Sequence, residues 1–230
     1  MSIKDGRDYL YLIWKDEKSR KQYIVAQLSK NGQYEFEYKH EVNEAQKHGF
    51  ELLVTFPDTT TVYKNDILFP VFSSRLPDGK RKDIGNILKK HGLTEYDEYS
   101  LLKRSGARLP IDNLEFIDPI LDKDEDFERI FYLAGSRHYI NCSESNCNKA
   151  MQTNVGDELV LQLEQTNLHD SNAIEVFTKD NIKLGYIPRY YCEGVSELIK
   201  ENIVLTCVVL SLEYEHNCRE CIKVKLYRRK

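Results

Sequence analysis

The sequence predicts an α+β protein of two domains: an N-terminal mixed β-sheet with helices, and a C-terminal six-stranded, barrel-like β domain with one or two helices. Three observations carry this expectation. A chain of 230 residues is long enough for two domains of ordinary size. Its 15 Tyr and 9 Phe beside a single Trp, among many Val and Ile, suit strands that pack on one face. Short extended runs crowd the first 60 and last 100 residues or so, whereas helical spacing is concentrated between them.

Residues 9–14 and 23–28 read as two strands joined by a charged turn. Asn31-Gly32 makes a tight turn into the alternating run 34–38. Residues 41–49 read as a short helix or loop, and residues 52–56 as a further strand stopped by Pro57-Asp58. In 83–93, Ile84, Ile87 and Leu88 share a helical face, and His91-Gly92 closes it like a C-cap. Residues 95–104 are also helical in spacing and close at Ser105-Gly106, before 114–117 returns to extended chain.

The acidic run 122–126 reads as a linker, which places the domains at 1–121 and 127–230. Six strands are expected beyond it, at 129–133, 158–164, 173–177, 183–187, 204–213 and 221–227, with one amphipathic helix at 190–200. Six short strands in about 100 residues suggest a small, partly open barrel.

The formal net charge is −4; residues 1–120 hold 19 Lys and Arg against 19 Asp and Glu, and residues 121–230 hold 14 against 18. Proteins that track long duplex neutralise many phosphates and show a basic face. A nucleic-acid ligand of this chain would therefore be gripped locally, over a few nucleotides. No run approaches the roughly 18 apolar residues of a membrane span, and the first residues lack the apolar core of a secretory signal. The expectation is a cytoplasmic protein without a membrane partner. Phosphate-cradling loops, nucleophile elbows and H-E-x-x-H zinc motifs are absent from the sequence, so no enzymatic activity is expected.

All six cysteines lie in the second half. Cys142, Cys147, Cys218 and Cys221 form two spaced pairs that raise structural zinc as a cofactor, with His216 as a spare ligand. The preferred reading is reduced thiols near a hairpin, with no cofactor.

The sharpest local pattern is Asn167-Leu-His-Asp-Ser-Asn-Ala-Ile-Glu-Val176, followed eight residues later by Leu184-Gly-Tyr-Ile-Pro-Arg189. Upstream stands Ala134-Gly-Ser-Arg-His-Tyr139. These three motifs, in this order, resemble the HIRAN family, whose hallmarks are an N-x-[HY]-D-x-N-A-[IV]-x-V turn entering a strand and a G-[YH]-[IL]-P strand end entering a helix. The resemblance implies a β-rich module that binds nucleic-acid ends. Arg137 could then pair with a phosphate through its planar fork. His138 and His169 could stack on bases; many nucleic-acid-binding members of the family carry Tyr there. Asp170 suits a terminal 3′-hydroxyl, and Tyr186 and Arg189 could reach a base and a phosphate. Asn172 belongs to the same turn, although Asp170 and Asn172 could equally brace the loop through their own backbone.

Leu68-Phe-Pro-Val-Phe-Ser-Ser-Arg-Leu-Pro-Asp-Gly79 and Leu101-Leu-Lys-Arg-Ser-Gly-Ala-Arg108 are similar to segments of the N-terminal subdomain of HipA-type kinases. Two positions depart from that pattern: Ser74-Arg75 stands before the Leu-Pro, and Gly106-Ala107 replaces Gly-Asp. No room remains for the kinase body, so the resemblance implies an accessory subdomain of the kind that holds a kinase toxin in split toxin–antitoxin systems. Two functions follow as expectations. In the first, the second domain recognises a single-stranded DNA 3′ end and the first domain recruits a partner. In the second, both domains bind protein, such as a HipA-type kinase or a DNA repair or processing enzyme.

Overall fold

The computed structural model describes residues 8–19, 21–120, 126–139, 152–167, 170–213 and 220–229. They divide into two compact units, with the boundary between Pro119 and Ile120. Residues 121–125 lie outside the described residues, and with them all of the expected linker 122–126 except Asp126. Among the described residues are eleven strands, five α-helices and one 3-10 turn, as the predicted α+β class requires.

In the first unit, β1 (Asp8–Lys15), β2 (Gln22–Asn31), β3 (Gln33–Tyr38), β4 (Tyr63–Asn65) and β5 (Leu114–Ile117) form one antiparallel sheet in the order β4-β3-β2-β1-β5. Alternation in β3 is strict: Tyr34, Phe36 and Tyr38 are buried, and the residues between them are half-exposed. That is the period of two seen in the sequence. The helices are α1 (Val42–Lys47), α2 (Pro70–Ser73), α3 (Ile84–Lys90) and α4 (Glu98–Ser105). α4 starts where the Asp97 carboxylate accepts from the Ser100 N–H at 2.8 Å and stops at Gly106. Tyr99 and Leu102 of α4 join Leu10, Val25, Phe36, Phe72 and Phe116 in the core.

The expected strand at 52–56 does not form. Phe56 stacks on Phe36 at 4.0 Å between ring centroids, but Val54, which alternation would bury beside it, is 97% exposed. The backbone turns instead, with the Phe56 N–H donating to the Leu53 carbonyl at 2.7 Å. The buried Tyr38 hydroxyl holds the turn: it accepts from the Leu53 N–H at 2.9 Å and donates to the Phe56 carbonyl at 3.0 Å. One side chain thus satisfies two backbone groups that a ladder would otherwise pair. Burial raises this hydroxyl to about 12. Replacing Tyr38 with Phe keeps the ring but orphans both backbone groups. It is expected to cost about 2 kcal/mol in urea unfolding with the m-value unchanged.

The second unit holds β6 (Phe127–Tyr132), β7 (Glu158–Leu163), β8 (Ile174–Phe177), β9 (Lys183–Tyr186), β10 (Thr206–Leu212) and β11 (Ile222–Arg228), in the order β6-β11-β10-β7-β8-β9. All six predicted strands are present within a few residues of their expected ends. The predicted helix is α5 (Arg189–Lys200), which buries Tyr191, Cys192, Val195 and Leu198. β6 and β9 are the two ends of the strand order, yet Ala134, just past β6, pairs with Tyr186 of β9. The sheet therefore curls into a half-barrel whose first and last strands meet at one end. Among the described residues, no helix is long and apolar enough to cross a membrane.

Candidate nucleic-acid interface

The site is built where the half-barrel closes. The Ala134 N–H donates to the Tyr186 carbonyl at 2.8 Å, and the Tyr186 N–H returns the bond to the Ala134 carbonyl at 2.9 Å. This approach requires glycine at 185. The residue sits at φ +152°, and a Cβ there would lie 2.7 Å from the Ala134 carbonyl oxygen and 3.0 Å from the Ser136 hydroxyl. Immediately after the bridge, the chain makes the 3-10 turn Ser136–His138, which buries Ser136 and exposes Arg137 and His138.

The bridge brings the exit of β6 against β9. Tyr139 and Tyr186 meet edge to face at 5.8 Å between centroids. The Lys183 ammonium sits 4.3 Å from the Tyr139 ring centre and 4.2 Å from that of Tyr186. It also donates to Glu175 Oε1 at 2.6 Å and to the Tyr186 hydroxyl at 2.7 Å. Tyr186 in turn donates to Glu164 Oε2 at 2.9 Å, which Asn167 Nδ2 also reaches at 2.5 Å. The Asp170 N–H donates to Asn167 Oδ1 at 3.0 Å. A continuous polar chain therefore runs from Asp170 through Asn167, Glu164 and Tyr186 to Lys183 and Glu175.

The charge states follow from these bonds. Partial burial disfavours the Lys183 ammonium, but the hydrogen bonds to Glu175 and Tyr186 outweigh it, and its pKa is raised. Burial pushes the Tyr186 phenol up to about 12, so it remains a donor to Glu164. Hydrogen bonds from Asn167 and Tyr186 hold the Glu164 carboxyl below its usual range. At neutral pH Lys183 is therefore held as a cation, Glu164 as a carboxylate and Tyr186 as a neutral phenol.

The expected site residues fall into three groups. Tyr186 and Asp170 lie along the polar chain just described, whereas Arg137 and His138 stand exposed in the 3-10 turn before Tyr139. Among the described residues Arg137 has no carboxylate partner; its Nε donates to His138 Nε2 at 3.2 Å. Arg189, at the start of α5, stands with its Nε 4.0 Å from Asp170 Oδ2. Asn172 is turned away, its Oδ1 accepting from Ser196 Oγ at 3.1 Å and from Lys200 Nζ at 3.3 Å. That geometry ties the turn to α5. The Asp170 side chain caps the same turn, accepting from the Asn172 N–H at 2.9 Å. His169 lies outside the described residues.

Tyr139, Lys183, Glu164 and Glu175 are members that motif reading did not single out. Tyr139 ends one quoted motif and Lys183 immediately precedes another, but only the pairing of Ala134 with Tyr186 unites them.

Of the candidate zinc ligands, Cys142, Cys147 and Cys218 lie outside the described residues, as does His216. Cys221 is buried, as are the thiols of Cys192 and Cys207. Burial pushes the Cys192 and Cys207 thiols up to about 12, which keeps them protonated at neutral pH.

Residues 127–227 match the family model described as the HIRAN domain, and residues 20–110 match that of the HipA N-terminal domain. No curated protein matches the chain. Among solved structures, a protein from Lactobacillus plantarum determined as a structural-genomics target is 27% identical over 45% of this chain and 97% of its own, with a TM-score of 0.35. The HIRAN domain of human HLTF is 16% identical over 44% of this chain and 73% of its own, also with a TM-score of 0.35. By family model, then, the chain carries a HipA N-terminal domain at residues 20–110 followed by a HIRAN domain at residues 127–227.

Proposed function

We propose that the C-terminal domain binds DNA without catalysis, gripping a single-stranded end that carries a free 3′-hydroxyl. The HIRAN match points to DNA binding in general. The finer reading rests on one observation: an exposed arginine with no carboxylate partner among the described residues stands in the turn next to the Tyr139–Lys183–Tyr186 cluster, from which bonded carboxylates lead to Asp170.

Each part has a physical role in that reading. Arg137 takes a backbone phosphate in a fork geometry that lysine lacks. Tyr139 and Tyr186, rigidified by the ammonium between them, offer ring faces to the terminal bases, with His138 beside them. Asp170 accepts the terminal hydroxyl, and Arg189 sets its orientation. The carboxylates of Asp170 and Glu164 repel a phosphate at the same position, which is how a hydroxyl end is told from a phosphorylated one.

In this reading the N-terminal domain recruits a protein partner, such as a HipA-type kinase or a DNA-processing enzyme. If the protein-binding role stands alone, the second domain also serves as a protein contact.

Anisotropy titrations with short labelled strands separate the two. A 3′-hydroxyl strand is expected to bind about tenfold more tightly than its 3′-phosphate counterpart, and Arg137→Ala to weaken the former by about tenfold, or about 1.4 kcal/mol. Equal and weak binding of both ends, unchanged by Arg137→Ala, would leave only the protein-binding reading.

A further inference from the structure

Phe131 of β6 points to the core, where its ring meets Tyr191 of α5 at 5.2 Å. The residues alternating with it point the other way, and on that outer face β6 and β11 set Tyr132 opposite Lys223, Ile130 opposite Lys225, and Glu128 opposite Tyr227. β10 places Val208 beside Lys225. The Lys223 ammonium lies 5.4 Å from the Tyr132 ring centre, and Lys225 and Arg229 lie 5.5 and 5.4 Å from that of Tyr227. Ile130 is 50% exposed on this face.

Charge is segregated here. This outer face carries Lys223, Lys225 and Arg229 against one carboxylate, Glu128, although residues 121–230 as a whole hold 14 cations against 18 carboxylates. Glu128 lies 3.7 Å from Lys225, leaving Lys223 and Arg229 over their aromatic rings. Cations interleaved with aromatic rings on a sheet are suited to a single strand: the ammonium and guanidinium groups meet phosphates, and the rings stack on bases of any sequence. Duplex DNA presents phosphates but no free base faces.

We infer that this outer face of β6 and β11 is a second nucleic-acid-binding surface, a track for the part of a single strand that leads away from the gripped end. The inference rests on the end-binding reading for its direction, because β6 passes from Tyr132 through Ala134 straight into the turn that carries Arg137. Tyr132 and Tyr227 stack on successive bases, and Lys223, Lys225 and Arg229 neutralise the phosphates between them. The acidic remainder of the domain confines the strand to this path.

The test uses the full-length protein with 3′-hydroxyl oligothymidylates of three and twelve nucleotides, titrated at several salt concentrations. The twelve-mer is expected to bind at least tenfold more tightly than the trimer and to show a salt slope steeper by about 1.4, the equivalent of two phosphates on a single strand. Lys223→Glu with Lys225→Glu should bring the twelve-mer to the trimer's affinity and slope while leaving trimer binding and thermal unfolding unchanged. Tyr132→Ala should reduce the length advantage about tenfold and leave the salt slope intact, which separates stacking from charge.

A length advantage that survives the double charge reversal overturns the track, as does failure of the twelve-mer to bind. Equal competition by a twelve-base-pair duplex, or by a polyglutamate peptide, also overturns it and assigns the face to phosphate contact alone or to acidic protein segments. The two proposals fail separately. A trimer that does not bind, with Arg137→Ala without effect, removes the end grip, and the twelve-mer's dependence on Lys223 and Lys225 then decides the track alone.

Discussion

Gly185→Ala is expected to destabilise the C-terminal domain by about 4 kcal/mol and to abolish binding of a 3′-hydroxyl strand. Two costs add. An L-residue at φ +152° is strained by about 1–3 kcal/mol. The new Cβ would also press against the Ala134 carbonyl oxygen at 2.7 Å, so the neighbouring segment must move and the two Ala134–Tyr186 hydrogen bonds must lengthen or break, at about 1 kcal/mol each. For a domain of about 100 residues the sum corresponds to a fall in Tm of about 15 °C or more. Gly156→Ala provides the comparison: its φ is +93°, but a Cβ there meets nothing within 4 Å, so it reports strain without the clash. If the two variants lose the same stability and Gly185→Ala still binds the strand, the close approach is not what positions Arg137 and Tyr139.

The second large effect is expected in the N-terminal domain at Arg75. Its guanidinium, with a side chain only 8% exposed, holds Asp112 through two bonds of 2.5 and 3.0 Å, and donates to the carbonyls of Ala107 at 3.0 Å and Leu114 at 3.1 Å. It clamps the end of α2 to the segment between α4 and β5. Arg75→Ala leaves a half-buried carboxylate and two carbonyls without their donor, and should cost about 3 kcal/mol. Arg75→Lys should recover little, since one ammonium cannot reproduce the fork. Arg75→Ala with Asp112→Ala should lose less than Arg75→Ala alone, because the stranded charge is then gone.

Acid should erode the same clamp. Burial alone would raise the Asp112 carboxyl, but the bonds from Arg75 and the Leu114 N–H outweigh it and hold it below its ordinary value of 3.8. Because the folded-state pKa is the lower one, this contribution is present above about pH 4 and is lost as pH falls through the folded value. Wild-type stability should drop across that acid range more steeply than that of the double variant.

The strands of the C-terminal domain were legible because each is a short apolar run between turn residues, and α5 because its apolar spacing is helical. Residues 52–56 carry the same composition as those strands. What they lack is a neighbour: the Tyr38 hydroxyl takes the hydrogen bonds a partner strand would have supplied, and no local pattern announces that competition. β4 is three residues long and leaves no periodic trace.

The candidate site divides in the same way. Arg137, Asp170 and Tyr186 stand in recognisable motifs. Lys183 and Glu164 acquire their role only when the chain folds back over some 50 residues to set Ala134 beside Tyr186. Arg75 is the converse: in the sequence it is a departure from the HipA pattern, and in the fold it is an anchor.

The pairing that closes the half-barrel has a colloidal consequence as well. An open sheet exposes the unpaired amides of its outermost strands, and a second molecule can add its own strand there. In the N-terminal sheet those strands, β4 and β5, are only three and four residues long, too short to template an extended ladder. In the C-terminal sheet the outermost strands β6 and β9 are turned toward one another and joined at Ala134 and Tyr186. Opening that junction would expose strand edges on a β-rich surface, so variants that loosen it should polymerise on concentration before they unfold.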